Sequence, residues 1–210
     1  GVQPDSVVLD FFAGSGTTGH AVMAQNALRS NHSRYILVQL PEALNPDNLD
    51  QKAAADFCDQ LGKPRTIAEL TKERLRRAGA KVRAEWEAKQ KAEAEQADLL
   101  NPAPAAGERR APDVGFRVFK LASSNIREWD PQRDRLAESL EAAVDHLKTD
   151  RTEQDILYEL LLKLGLDLCV PIETRAFTGH VVSSVGAGSL LVCLSPKIAA
   201  AEVETLALGI

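Results

Sequence analysis

The stretch that most constrains this chain is residues 7–19, VVLDFFAGSGTTG. Val7, Val8 and Leu9 form a short apolar, partly β-branched run that suits a buried parallel strand, and Asp10 closes it. Gly14, Ser15 and Gly16 then make a turn where the backbone can approach a ligand with no Cβ in the way. Thr17 and Thr18 are expected to cap the following segment, and the residues from His20 to Leu28 are good helix formers. Strand, glycine turn and helix, in that order, put backbone N–H groups at a helix N-terminus in front of a bound cofactor.

Several readings compete for this loop. Gly14, Gly16 and Gly19 satisfy G-x-G-x-x-G, the dinucleotide fingerprint, which is a weak signal by itself. A purely structural glycine turn is the bland reading. A P-loop is excluded, because no Gly-Lys-Ser/Thr follows the glycines. The residues before the glycines say more: Asp10 stands four positions before Gly14, and Phe12 two before it. This arrangement resembles the D-x-F-x-G-x-G motif of S-adenosylmethionine (SAM)-dependent methyltransferases. The longer string LDFFAGSGTTGHAV is similar to the version found in DNA amino-methyltransferases.

A second apolar run, YILVQL at 35–40, is followed at once by Pro41 and Glu42. Strand, helix and strand within so short a span make a βαβ unit, expected with a right-handed crossover. Glu42 then stands at the carboxyl end of the second strand. There a carboxylate accepts hydrogen bonds from ribose hydroxyls in nucleotide-binding α/β folds, of the NAD and SAM types alike. The alternative for Glu42 is a solvent-facing or helix-capping acid.

Beyond it, residues 51–61 read as a short helix ended by Gly62 and Pro64. Thr66 and Glu69 fit a capping box that opens a long helix, with Leu70, Leu75, Ala78 and Val82 as its buried stripe. Between residues 72 and 83, Lys72, Arg74, Arg76, Arg77, Lys81 and Arg83 face a single acid, Glu73. Such a run is usually a solvated face, with contact to DNA phosphates as the sharper alternative. Residues 85–100 read as an exposed helix. Residues 101–113, with three prolines, read as a linker.

After the linker, residues 115–121 alternate like a half-buried strand, and Ser123 to Trp129 make a turn. Residues 134–147 suggest an amphipathic helix carrying Leu136, Leu140, Val144 and Leu147. Thr152 to Asp155 cap a leucine-rich helix that ends at Gly165. Runs at 172–177, 180–185 and 190–194, separated by Thr178-Gly179 and Gly186-Ala187-Gly188, suggest an antiparallel meander, with a short helix at 198–208 after it. His180 reads as a turn residue with no catalytic partner.

The chain of 210 residues bounds this to one or two domains, 1–100, the linker 101–113, and 114–210. A net charge of −5 gives no global basic field, which still leaves room for a local nucleic-acid patch. Cys58, Cys169 and Cys193 show no C-x-x-C spacing, so neither a zinc site nor a disulfide scaffold is expected, and the natural setting is a reducing cytoplasm. There is no membrane-length apolar run and no visible signal peptide. Residue 1 is Gly and the first strand follows within a few residues, so a longer parent protein is expected.

The strings YILVQLPE, GFRVFKLASSNIREWD, DRTEQDILYELLLKLGLDLCVPIE and LLVCL, in this order and spacing after the loop, resemble the modification (Mod) subunit of type III restriction–modification systems. The resemblance implies a β-class DNA N6-adenine methyltransferase. Its fold class would be α/β: a partial Rossmann-like methyltransferase sheet, then a helical segment and a smaller α+β C-terminal domain. It implies SAM as cofactor, held by Asp10, Phe11, Phe12, Ala13, Gly14, Ser15, Gly16, Thr17 and Thr18 on the methionine side and by Glu42 at the ribose. It implies double-stranded DNA as substrate, a homodimer of Mod subunits and a restriction helicase–nuclease subunit as partners, and no metal. In that family the catalytic Asp-Pro-Pro-Tyr motif precedes the SAM loop. No such motif occurs in this sequence, so a fragment without catalytic residues of its own is expected. Two other classes stay open: a nucleotide-dependent oxidoreductase using the same glycines, and a non-enzymatic assembly module in which residues 114–210 bind a partner.

Overall fold

The computed structural model describes residues 5–96, 110–128, 133–142 and 145–209. The chain divides into two compact units, residues 1–116 and 117–210. Of the expected exposed arm and linker, residues 97–109 lie outside the described part, as do Trp129 of the expected turn and Val144 of the expected helix.

Unit 1 is built on a β–α–β element. Strand β1 (Val7–Asp10) pairs in parallel with β2 (Arg34–Leu37), with Leu9 opposite Ile36, and helix α1 (Thr17–Arg29) connects them. Helices α2 (Leu49–Gln60) and α3 (Ile67–Glu95) follow. The core forms where Met23 of α1 meets Leu75 and Val82 of α3, with Tyr35 and Leu37 of β2 packed against them. The expected stripe on α3 is therefore right for Leu75, Ala78 and Val82, joined by Thr71 and Gly79, while Leu70 is only half-buried.

Burial of the strands holds for one face only. Val7, Leu9 and Ile36, on the face opposite Tyr35 and Leu37, are 49, 50 and 53 % exposed. The two-residue periodicity of a strand sends alternate side chains to opposite faces. Among the described residues, only the α1–α3 face of this sheet has a second layer.

Two further expectations in unit 1 fail locally. Thr66 is the N-cap of α3, but its side chain makes no capping bond, and Glu69 pairs with Lys72 instead of reaching back. Residues 110–124 form no ladder, so the alternation at 115–121 does not mark a strand. Val114 and Phe116 pack against α3, where Gly79 lets Val114 approach: a Cβ on Gly79 would lie 3.2 Å from Val114 Cβ.

Unit 2 is α+β. Helix α4 (Leu136–Ala142) is short and preceded by a 3₁₀ turn, so the helix expected over 134–147 is not continuous. Leu136 and Leu140 are exposed, and Leu147 bridges Ile126 instead. Helix α5 (Glu153–Lys163) begins with the expected capping box between Thr152 and Asp155. Strands β3 (Ile172–Phe177), β4 (His180–Val185) and β5 (Leu190–Cys193) form the antiparallel meander, and α6 (Ala200–Gly209) ends the described chain. The core is Leu157 and Leu161 of α5 against Val185 of β4. His180 Nε2 lies 3.3 Å from Glu202, which also accepts from the Ala199 N–H, a local tie at the start of α6.

The segment entering unit 2 is fastened to α5 by polar bonds. Arg117 donates to Tyr158 Oη and to the carbonyls of Leu168 and Val170. Glu159 accepts from Ser124 Oγ at 2.6 Å, from the Asn125 N–H at 2.7 Å and from Lys163 at 3.0 Å. These bonds, that of Ser124 first, lower its carboxyl from the ordinary 4.5 to about 2. A depressed folded-state pKa adds stability that is full above the unfolded value and disappears as pH falls through the folded one. Unit 2 is therefore expected to lose stability between about pH 4.5 and about pH 2. Urea titrations across that window should show Glu159→Gln with a flatter pH profile than the parent; equal slopes would remove Glu159 from the acid response.

Candidate functional site

The loop leaves β1 at its carboxyl end. Asp10 is the last strand residue, and its carboxylate holds the turn from inside: Oδ1 accepts from the Phe12 N–H at 3.0 Å and Oδ2 from Thr18 Oγ1 at 2.6 Å. The expected threonine caps are thus corrected. The N-cap of α1 is Gly16, without a side-chain bond, and the Thr18 hydroxyl is given to Asp10. Gly14 and Gly16 have φ of 52° and 82°, the left-handed region that a side chain makes costly.

The N–H of Gly14 donates to Gln39 Oε1 at 2.7 Å, and that of Gly16 to the Ala13 carbonyl at 2.7 Å. The N–H groups of Ser15, Thr17 and Thr18 have no acceptor among the described residues. These unpaired donors at the start of a 13-residue helix suit a carboxylate or another anion. Space over the turn is open, since a Cβ on Gly14 would meet only Phe12 O at 3.9 Å. Phe11 and Phe12 stand 61 and 90 % exposed beside it, while Ala13 is buried.

Strand β2 ends at Leu37, short of the run expected over 35–40, so Glu42 stands five residues past the strand and not at its end. Its side chain is exposed and unpartnered among the described residues, and its carbonyl accepts from the Ile67 N–H at 3.1 Å. Its carboxylate is therefore available to a ligand.

Three residues fix the loop, of which sequence reading named only Arg74, and that one as part of the cation run. Besides Gln39, Thr71 of α3 donates through Oγ1 to the Gly14 carbonyl at 2.5 Å and to Ile67 O at 3.0 Å. One turn on, Arg74 donates to Ser15 Oγ at 2.6 Å. Gly19, the third glycine of the fingerprint, acts by packing: a Cβ there would lie 2.7 Å from Leu75 Cδ2 and 3.1 Å from Leu37 Cδ1. Tyr35 lies against the same position, and burial, helped by the charge of Asp113, pushes its phenol up to about 12.

The cation row on α3 is largely satisfied within the helix. Lys72 pairs with Glu69, Arg76 and Arg77 with Glu73, and Lys81 with Glu85. Arg77 also lies over the Phe57 ring at 4.9 Å. Glu69 and Glu85 stand just outside the window of residues 72–83, so a count confined to that window overstates the excess of positive charge. Among the described residues there is no cluster of side chains suited to a metal ion, and no helix is long and apolar enough to cross a membrane.

No family model matches the chain. It is 42 % identical over 129 residues to the type III restriction-modification enzyme StyLTI Mod subunit of Salmonella typhimurium, a match covering 61 % of this chain and 15 % of that protein. The EcoP15I Mod subunit of Escherichia coli is 40 % identical over 79 residues, covering 38 % of this chain and 11 % of that protein. The EcoPI Mod subunit of Escherichia phage P1 is 41 % identical over 75 residues, covering 36 % and 10 %. The matched stretches thus span a small part of the length of these relatives. The resemblance to type III Mod subunits is borne out over the matched stretches, each similar to a portion of those proteins.

Proposed function

We propose that the chain is the cofactor-binding and C-terminal portion of a type III modification subunit, a SAM-dependent DNA methyltransferase acting on adenine N6. The observation that carries this reading is the turn at the carboxyl end of β1. There, left-handed Gly14 lies open while left-handed Gly16 packs against α3, the N–H groups of Ser15, Thr17 and Thr18 have no acceptor among the described residues, and Glu42, unpartnered among them, follows β2. Unpaired donors suit the methionine carboxylate, the open side of Gly14 suits close approach of a ligand, and an acid after the second strand suits ribose hydroxyls. Bound SAM would supply an electrophilic methyl on a sulfonium. The residues that would hold it are Asp10, the loop from Phe11 to Thr18, and Glu42.

The half-exposed apolar face of Val7, Leu9 and Ile36 supports a Rossmann-like architecture, because parallel sheets are covered on both faces. In the complete protein the remaining layer and the residues that act on the adenine would come from elsewhere in the subunit. DNA would be the substrate, and a second Mod subunit and a restriction subunit would be the partners. The role of this chain in the reaction is to place the methyl group, which is catalysis by positioning. The homology to Mod subunits favours SAM over a nicotinamide nucleotide at the same glycines.

Calorimetry on the 210-residue chain separates these cofactors. Saturable binding of SAM and S-adenosylhomocysteine is expected, with none for NAD or NADH. Preference for a nicotinamide nucleotide would sink the reading. Transfer of labelled methyl to DNA by this chain alone would overturn the placement of the reacting residues elsewhere.

A further inference from the structure

Unit 2 carries a second group of side chains with a common chemistry, and it uses none of the loop residues. Its frame is an isolated antiparallel bridge between Ile126 and Leu147. The Arg127 N–H donates to His146 O at 2.7 Å, and the Lys148 N–H to Asn125 O at 2.9 Å. Asn125 is buried and donates from its side-chain amide to Asp155 O at 2.8 Å, while Glu159 of α5 takes its backbone N–H. Backbone bonds and two anchors on α5 therefore set the shape, and the surrounding cations are not needed for it.

On that frame positive charges converge on a hydroxyl. Lys148 Nζ lies 2.8 Å from Ser123 Oγ, and Arg151 Nη2 lies 3.1 Å from the same oxygen. A neutral oxygen satisfies the geometry of both donors and offsets the charge of neither. Arg151 also touches Asp150 at 3.3 Å, yet its Nε–H is buried without an acceptor. Lys148 and Arg127 have no carboxylate at ion-pair distance among the described residues. Lys163 is held by Glu159, whose two oxygens are already engaged. Ser123, Ser124, Arg127, Lys148 and Lys163 line one shallow pocket, with Glu128 at the same rim.

We propose that this pocket binds a phosphate group. Lys148 and Arg127 supply the counter-charge from the pocket wall, and Ser123 Oγ, an acceptor for Lys148 and for Arg151 behind it, turns its own O–H to the ligand. Lysine, arginine and serine donors are the set that grips phosphate oxygens. The phosphate comes either from a DNA backbone or from free inorganic phosphate, and the two sources are separable.

The test is an amide NMR titration of the whole 210-residue chain at low salt, with inorganic phosphate in one arm and a short DNA duplex in the other. Saturable shifts confined to residues 123–128 and 145–151 are expected with phosphate. Lys148→Met keeps the side-chain length and every backbone bond of the frame, and it should weaken binding about tenfold. Arg127→Gln, on an exposed side chain, is the second variant, with a similar direction. Lys89→Met on α3 should leave binding unchanged. A duplex that shifts the same amides and is displaced by phosphate identifies a phosphodiester as the ligand; binding in the phosphate arm alone identifies the free ion. Absence of saturable shifts in both arms overturns the site. So does binding that neither Lys148→Met nor Arg127→Gln weakens.

Discussion

Replacing Leu75 by alanine is expected to destabilise unit 1 by about 2–5 kcal/mol, the range for emptying a well-packed leucine site. Leu75 is 4 % exposed and forms the core with Met23 and Val82. It also fills the space that Gly16 and Gly19 leave vacant: Cβ atoms built there would lie 3.4 Å from Leu75 Cγ and 2.7 Å from Leu75 Cδ2. The cavity therefore opens directly beneath the loop. Collapse into it is resisted on three sides by α1, β2 and the rest of α3, so little of the lost packing is recovered. Leu28→Ala is the control, because Leu28 lies on the same unit in α1 and is 66 % exposed, where such changes stay within about 0.5 kcal/mol. Urea unfolding read by hydrogen exchange of α1 and α3 amides measures both. Equal costs for the two variants would mean that Leu75 does not carry the core.

Most of the secondary structure was legible because it follows from local pattern. The apolar run at β1 and the glycine turn between strand and helix stand in the sequence as they stand in the fold. So do the meander turns: Thr178 and Gly179, and Gly186, Ala187 and Gly188, all have positive φ. The second apolar run is a strand as far as Leu37, beyond which residues 38–40 leave the ladder. What was not legible depends on distant partners. Thr71 and Arg74 reach Gly14 and Ser15 across more than fifty residues, and no spacing rule connects them. Residues 115–121 alternate as a strand does, but Val114 and Phe116 spend their apolar character on a helix, and Arg117 and Phe119 on α5, where Phe119 meets Tyr158 edge-on at 5.2 Å. Thr66 and Glu69 have capping-box spacing, yet Lys72, one turn on, offers Glu69 a charged partner. The site was legible as a motif; the residues that hold it in shape were not.

Gly16→Val is expected to abolish SAM binding at the concentrations that saturate the parent chain. Two effects add at this position. A β-branched residue at φ 82° carries strain of about 1–3 kcal/mol. The new Cβ would also lie 3.0 Å from Thr71 Cγ2, so the loop must lift away from α3 and loosen the bond from Thr71 to Gly14 O. Gly62→Val separates the two, because Gly62 has φ 62° and no atom within 4 Å of its built Cβ. It bears comparable backbone strain, distant in sequence from the loop, and should lose stability while keeping SAM affinity. Thr71→Val tests the other half. It is close in volume and removes only the hydroxyl, so the loop loses its tie to α3 while the glycines stay. Its SAM affinity should fall about three- to tenfold, the worth of one hydrogen bond that orders a binding loop. Calorimetry on the three variants gives the ordering Gly16→Val below Thr71→Val below Gly62→Val. If Gly62→Val loses affinity as Gly16→Val does, general destabilisation explains the effect and the loop is not the site. If Thr71→Val binds like the parent, the turn is held by Asp10 and Gln39 alone, and α3 supports the fold without shaping the cofactor loop.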